Sequence, residues 1–394
     1  MISIMMRSIL LSFVVVIFLF LTSIHHWGSV SGSYDNRLGK EDGSCGSHMN
    51  RDELLTTDTI RLIFAGDVMG HETQLNGAWR DGGDSYYNFA PTFEGVKEYV
   101  SSADLAIANF EVTLAGEPFT GYPAFSSPNA LAVALQEAGF DIFLTANNHI
   151  LDYGVKGFEK TIHTLENLGV TYTGTFMDSL QWRADYPLIM EKKGFRLAFL
   201  NYTYGTNMTK AKPPIIVNYI DTVRMAADLH KARLMNADYI IACVHWGEEY
   251  KNNENQEQRQ IAGFLARNGC DLIVGAHPHV VQPIKKIAGN TSDSVLVAYS
   301  LGNFISNQRW RYSDGGIMLD VTLTKTNGIV RLNSYRYEPF WVHRFPENGV
   351  PVYRMIPVFD YLSNPDRYPF VPVADENLLL QFYKDTRGIL INEK

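Results

Sequence analysis

Cysteine is nearly absent from this 394-residue chain: Cys45, Cys243 and Cys270 are its three thiols, and no two stand in a CxxC pair. Three cysteines cannot build a disulfide framework, and a zinc ribbon needs paired ligands, so both scaffolds are excluded. Charge is scarce too. Charged residues make up 19% of the chain, and 34 bases fall short of 42 acids, giving a formal net charge of −8. A disordered chain would be charge-rich and apolar-poor, whereas hydrophobic residues reach 46% here. The shortage of bases also argues against a nucleic-acid partner, which needs a basic face to neutralise phosphates. The body of the chain shows no internal repeat and no low-complexity block.

Long apolar runs are confined to the N-terminus. Ile9 to Leu21 reads ILLSFVVVIFLFL with Ser12 as the one polar residue, and Arg7 precedes it. A short cationic start and an apolar run of this length fit a signal peptide. Counting on to Ile24 leaves an uncleaved anchor open, since a spanning helix wants about 20 apolar residues. Residues 1–27 are therefore expected to be a signal peptide or a membrane anchor, and either places the rest outside the cytoplasm. Residues 28–58, rich in Gly, Ser, Asp and Asn, read as a polar linker.

From Arg61 onward, short apolar runs alternate with helical patterns. Strands are expected at Leu62–Ala65, Leu105–Ala108, Ile142–Thr145, Leu197–Asn201, Ile240–Val244, Leu272–Gly275, Leu296–Tyr299 and Ile317–Leu323, with a further one over Val330–Tyr337. Most lack polar alternation, which suggests burial on both faces. Amphipathic helices are expected at Ala130–Ala138, Val155–Leu168, Thr222–Asn236 and Gln256–Asn268, several followed by Gly, with one last helix near Glu376–Thr386. The pattern is an α/β layered domain over residues 59–344, with an aromatic and proline-rich C-terminal extension over 345–394.

Five histidines follow predicted strands: His71, His149, His245, His277 and His279. Ligands of α/β sheets gather at the carboxyl ends of strands. The same segments carry Asp67 (IFAGDVMGH), Asn109 and Glu111 (AIANFEV), Asn147, Asn148 and Asp152 (FLTANNHILDYG), and Glu248 and Glu249 (IIACVHWGEEY). Imidazoles mixed with carboxylates and amide oxygens suit Zn, Mn, Fe or Ni. Asp67, His71, Glu111, Asn148, His245, His277 and His279 are candidate ligands, too many for one tetrahedral ion, so two divalent ions are expected. Asn109, Trp246 and Asn303 are candidate substrate contacts; Tyr250 shares the turn after His245 with Trp246.

In order, GDVM, NFE, ANNHxxDYG, HWGEEY, GAHPHVxQP and YSLGNF, spread from about Leu62 to Phe304, resemble the CapA family of capsule or poly-γ-glutamate synthesis proteins. That family is similar to the calcineurin-like metallophosphoesterases, which implies a four-layer α-β-β-α sandwich with a two-metal site at strand ends. Carried over by motif, the resemblance makes Asp67 the first ligand, with Met69 where a histidine is usual and His71 in its place. It makes Glu111 the bridging carboxylate, Asn148, His245, His277 and His279 ligands, His149 the general acid and Asp152 its orienting partner. The implied activity is metal-dependent phosphoester hydrolysis on an envelope or capsule polymer, within a membrane-bound synthesis complex. The alternative is a membrane-anchored scaffold that binds or exports the polymer without catalysis.

Overall fold

Strands whose residues are apolar on both faces can be satisfied only by cover on both sides, and that need builds the layers here. The computed structural model describes residues 57–290 and 294–391. The expected export segment lies outside them, as does the linker up to residue 56. In chain order the strands are β1 (Thr57–Val68), β2 (Leu105–Phe110), β3 (Ile142–Leu144), β4 (Thr171–Thr173), β5 (Thr175–Phe176), β6 (Leu188–Lys192), β7 (Phe195–Thr203), β8 (Ile216–Val217), β9 (Tyr239–His245), β10 (Leu272–Ala276), β11 (Ile284–Ala288), β12 (Ser294–Ala298), β13 (Asn303–Ile305), β14 (Gly315–Thr326), β15 (Ile329–Glu347) and β16 (Val350–Pro357). The helices are α1 (Glu72–Asp81), α2 (Ala90–Ser101), α3 (Asn129–Glu137), α4 (Gly154–Asn167), α5 (Ser179–Asp185), α6 (Thr222–Leu234), α7 (Gln256–Arg267), α8 (Val358–Ser363) and α9 (Val373–Ile391). Among the described residues no helix is long and apolar enough to cross a membrane.

The first sheet runs β16-β15-β14-β1-β2-β3-β4, with β13 also paired to β1. Strands β1, β2 and β3 are parallel, with Leu62 opposite Leu105 and Ile107 opposite Ile142. The second sheet runs β11-β12-β10-β9-β7-β6, and its β7, β9, β10 and β12 are parallel. Between the sheets, Leu62, Phe64, Ile107 and Leu319 of the first pack with Leu197, Phe199, Ile241 and Leu272 of the second. On the outer face of the first sheet, Leu75 of α1, Phe93 and Val96 of α2 and Leu135 of α3 join Ile63, Ala106 and Phe143. On the outer face of the second, Met225 and Leu229 of α6 and Ile261 and Leu265 of α7 cover Ala198, Ile240 and Ile273. The result is the four-layer α-β-β-α sandwich.

Several features differ from the sequence reading. Helices α1 and α2 carry no strong helical signal because glycine interrupts each. A Cβ on Gly77 would stand 2.6 Å from the Pro351 carbonyl oxygen, and one on Gly95 2.2 Å from that of Met355, so both helices need glycine to sit close against β16. The 344/345 boundary falls inside β15, which pairs on to β16 through Arg344 opposite Tyr353 and Phe345 opposite Val352. The stretch set apart as an extension thus supplies the edge of the first sheet, and aromatic and aliphatic residues of β15, β16, α8 and α9 pack together there around Trp341, Ile356, Tyr361 and Phe382.

The inter-sheet layer is the part of the core that both sheets share. Leu319→Ala, at a position fully buried between them, should destabilise the fold by about 3 kcal/mol. Urea unfolding followed by circular dichroism would show the midpoint fall with an unchanged slope.

Candidate metal centre

Parallel strands end together, so residues just past them converge. Asp67 closes β1, Asn109 and Glu111 follow from β2, Asn148 and His149 lie past β3, His245 ends β9, and His277 and His279 follow β10. The sheets contribute from two sides of the sandwich. All of these side chains are buried, and Asp67 and Glu111 are fully so.

The hydrogen bonds tie the groups into one cluster. Asn109 Nδ2 donates to Asp67 Oδ1 at 2.7 Å and to Glu111 Oε2 at 3.3 Å, and stands 3.2 Å from His245 Nδ1. His245 Nε2 lies 2.9 Å from Asn148 Oδ1. His279 Nδ1 meets Asp67 Oδ2 at 2.9 Å, and the His277 backbone N–H reaches both Asp67 oxygens at 3.2 and 3.3 Å. Beside the cluster, His149 Nδ1 pairs with Asp152 Oδ2 at 2.7 Å, and that oxygen also accepts the Phe125 backbone N–H at 2.8 Å. His277 and His279 hold left-handed backbone, with φ of 100° and 58°. Such strain persists only where the surroundings over-determine it.

Burial shapes the protonation of each group. It pushes the Glu111 carboxyl well above the usual range, and neighbouring Asp67 adds to this. For Asp67, burial also acts upward, but hydrogen bonds from His279 and Asn109 and the charges of His279 and His277 hold its pKa below the usual range. Burial drives His277 down to about 3 and His245 well below its ordinary value, with like-charge repulsion among the imidazoles acting the same way. Neutral imidazoles and carboxylates are the forms that bind cations.

Ligand atoms of Asp67, Glu111 and His245 lie within 4.8 Å of one another, as do those of Glu111, His277 and His279. Glu111 belongs to both groups. Its Oε1 and the His277 Nδ1 are buried without a hydrogen-bond partner. Buried orphans of this kind are costly and call for a partner, and a cation suits both atoms. The donor set fits divalent ions of the Mn, Zn or Fe type.

Other expected residues stand elsewhere. His71 joins neither group: it caps α1, with its Nδ1 3.1 Å from Gln74 Oε1 and 3.3 Å from the Asn307 backbone nitrogen. Trp246 is a correction. It is 1% exposed, donates from Nε1 to the Tyr299 carbonyl at 2.9 Å, and belongs to the core between the second sheet and its helices. One step past His245 the side chain turns to the opposite face, so it cannot line a cleft. Asn303 is likewise committed inside the protein, its Nδ2 donating to Gln308 Oε1 at 2.9 Å and to the Ser313 carbonyl at 2.8 Å. Tyr204 and Trp310 were not read from the sequence. Tyr204 stands 4.6 Å from the His277 ring and 6.2 Å from that of His245. Its signal was an aromatic directly after β7, at the same strand ends as the histidines.

A candidate metal-binding site at the strand ends of a four-layer sandwich is the class that fold and geometry define. Residues 61–308 match the model of the family described as bacterial capsule synthesis protein PGA_cap, and the chain belongs to that family. It is 28% identical over 318 residues to the capsule biosynthesis protein CapA of Bacillus anthracis, spanning 77% of this chain and 69% of that one. It is 27% identical over 302 residues to the PGA biosynthesis protein CapA of Bacillus subtilis, spanning 73% of this chain and 72% of that one. Among solved structures it overlaps the calcineurin-like phosphoesterase YfkN of Bacillus subtilis, at 14% identity and a TM-score of 0.43, over 72% of this chain and 91% of the other. The layer order described above stands on this chain's own strand pairing.

Burial favours the neutral form of Glu111 and a bound cation favours its carboxylate, so proton and metal compete there. Calorimetric titration of the metal-free protein with Mn²⁺ near pH 7, in buffers of different ionisation enthalpy, should therefore show release of about one proton or more per chain. Metal uptake without proton release would contradict this assignment. In Glu111→Gln the carboxylate shared by both groups is missing, and the thermal stabilisation that metal brings to the wild type should be lost with it.

Proposed function

We propose that this protein is a metal-dependent hydrolase of the phosphoesterase type, acting outside the cytoplasm on a capsule or other envelope polymer, or on a phosphoester made during its synthesis. The observation that carries this reading is the pair of buried donor groups that share Glu111, with the His149–Asp152 pair beside them. Membership of a capsule synthesis family supports the substrate setting. The cationic, apolar start of the sequence, Arg7 followed by Ile9–Leu21, supports export.

In this reading Asp67, Glu111 and His245 hold one ion, and Glu111, His277 and His279 a second, with Asn148 completing the first set through its side-chain oxygen. Divalent cations in such a site supply charge that polarises a phosphoryl group and acidifies water. The chain's own groups do the rest. Asp152 accepts from His149 Nδ1, which leaves Nε2 as the end that exchanges a proton with a leaving oxygen. The Phe125 backbone N–H fixes the Asp152 carboxylate from the other side, so the imidazole is held in one orientation. Asn109, bonded to Asp67, Glu111 and His245 at once, holds the two carboxylates in register. Burial of the whole set excludes bulk water and strengthens each electrostatic contact.

His149→Ala tests this directly. With Mn²⁺ or Zn²⁺ supplied, kcat on phosphoester substrates should fall by about 10²- to 10⁴-fold while metal content is unchanged. Asp152→Asn should lower kcat in the same direction by a smaller factor. Wild-type protein that hydrolyses no phosphoester with any added ion, or a His149→Ala variant that still supports polymer synthesis in cells, would point instead to a polymer-binding scaffold.

A further inference from the structure

Three part-exposed aromatic rings border the candidate metal centre, and the reading above gives them no task. Tyr204, Tyr250 and Trp310 are 46%, 39% and 51% exposed. Tyr204 lies 4.6 Å from the His277 ring. Tyr250 lies 5.9 Å from the His279 ring, and Trp310 stands edge-on to Tyr250 at 4.9 Å with an interplanar angle of 80°. The rings therefore flank the two ends of the His277-Pro278-His279 turn: one wall is Tyr204, the other is the corner made by Tyr250 and Trp310.

This second wall is held with some effort. Tyr250 has a φ of 64°, a left-handed conformation that a bulky residue adopts only under constraint. Its backbone N–H donates to the Pro278 carbonyl at 2.8 Å, inside the turn that carries the histidines. Its hydroxyl accepts from Gln308 Nε2 at 3.2 Å, and Gln308 is in turn held by the buried Asn303. Asn303 thus acts as a positioning residue for this wall. The loop that bears Gln308 also presents Trp310. Strained and anchored backbone that keeps two large rings in water is poor design for stability alone, since apolar surface gains by burial.

The chemistry of the walls selects the occupant. Among the described residues no Lys or Arg stands over any of the three rings; Arg311, next to Trp310 in sequence, lies over Tyr312 and is bound by Asp385. The turn leading to Tyr250 exposes Glu248 and Glu249, and Lys251 after it is exposed too. A polyanion would meet carboxylates and uncharged ring faces there. A pyranose ring fits better: its C–H faces pack on aromatic planes, and its hydroxyls reach tyrosine oxygens and the glutamates. Resting on the hydrolase reading for the adjacent centre, we propose that Tyr204, Tyr250 and Trp310 form a clamp for an uncharged sugar unit of the substrate, placing the phosphoester next to that unit at the candidate metal centre.

Binding is measured apart from catalysis, on the full-length protein stripped of metal with EDTA. The probes are hexamers of glucose and of N-acetylglucosamine, with a γ-linked glutamate hexamer alongside, read by calorimetry and tryptophan fluorescence. At least one sugar hexamer should bind saturably and shift the tryptophan emission. Tyr250→Ala and Trp310→Ala should each weaken it about tenfold, the order expected for one lost ring contact, while Trp310→Tyr, which keeps a ring, should bind nearly as wild type. The thermal transition of each variant shows that it is folded. The clamp is overturned if neither sugar binds, if the alanine variants bind as the wild type does, or if the glutamate hexamer displaces the sugar. Sugar binding with no phosphoester hydrolysed under any metal would leave the clamp standing and remove the hydrolase reading; phosphoester hydrolysis without sugar binding would do the reverse.

Discussion

Two carboxylates, Asp67 and Glu111, are fully buried side by side at the ends of adjacent parallel strands, and the rest of the molecule is arranged around that constraint. An unpaired charge taken out of water costs several kcal/mol. Asp67 is compensated by His279, Asn109 and the backbone of His277. Glu111 is compensated less: Asn109 donates to Oε2 at 3.3 Å, but Oε1 has no hydrogen-bond partner, and burial with its neighbour Asp67 favours the neutral acid. A fold stabilised for its own sake would place an apolar residue there. Keeping a carboxylate makes sense where positive charge arrives from outside.

The two-sheet architecture serves that arrangement. Asp67 and Glu111 come from the first sheet, and His245, His277 and His279 from the second, so the inter-sheet core sets the distance between carboxylates and imidazoles. The contact from Asp67 to the His277 backbone and the His279 ring bridges the sheets at the site itself. Left-handed backbone at His277 and His279 lets both rings turn inward from consecutive odd positions. The same turn carries the Pro278 carbonyl that anchors Tyr250, which links the candidate metal centre to its aromatic border.

Much of this was legible in the sequence. Continuous apolar runs marked the buried parallel strands, and polar residues placed directly after them marked the site, because a strand end is where a buried chain first meets open space. What failed did so for local reasons. Trp246 shares a segment with His245 but points the other way, and linear proximity to a ligand says nothing about side-chain direction. His71 has the right residue type, yet its ring is engaged in capping α1. Helices α1 and α2 were hidden by glycines that only make sense against β16; the first half of β15 was read as a strand, while its continuation and β16 were hidden by their prolines and aromatics. Tyr204 and Trp310 carried no motif, since a ring at a rim looks in sequence like a ring in a core.

The most direct test of the central claim is metal analysis of the purified protein combined with anomalous diffraction. Two ions per chain are predicted, one among Asp67, Glu111 and His245 and one among Glu111, His277 and His279, with Glu111 touching both. A protein that stays free of metal after equilibration with Mn²⁺, Zn²⁺ and Fe²⁺, its Glu111 still protonated in the cluster, would contradict the account.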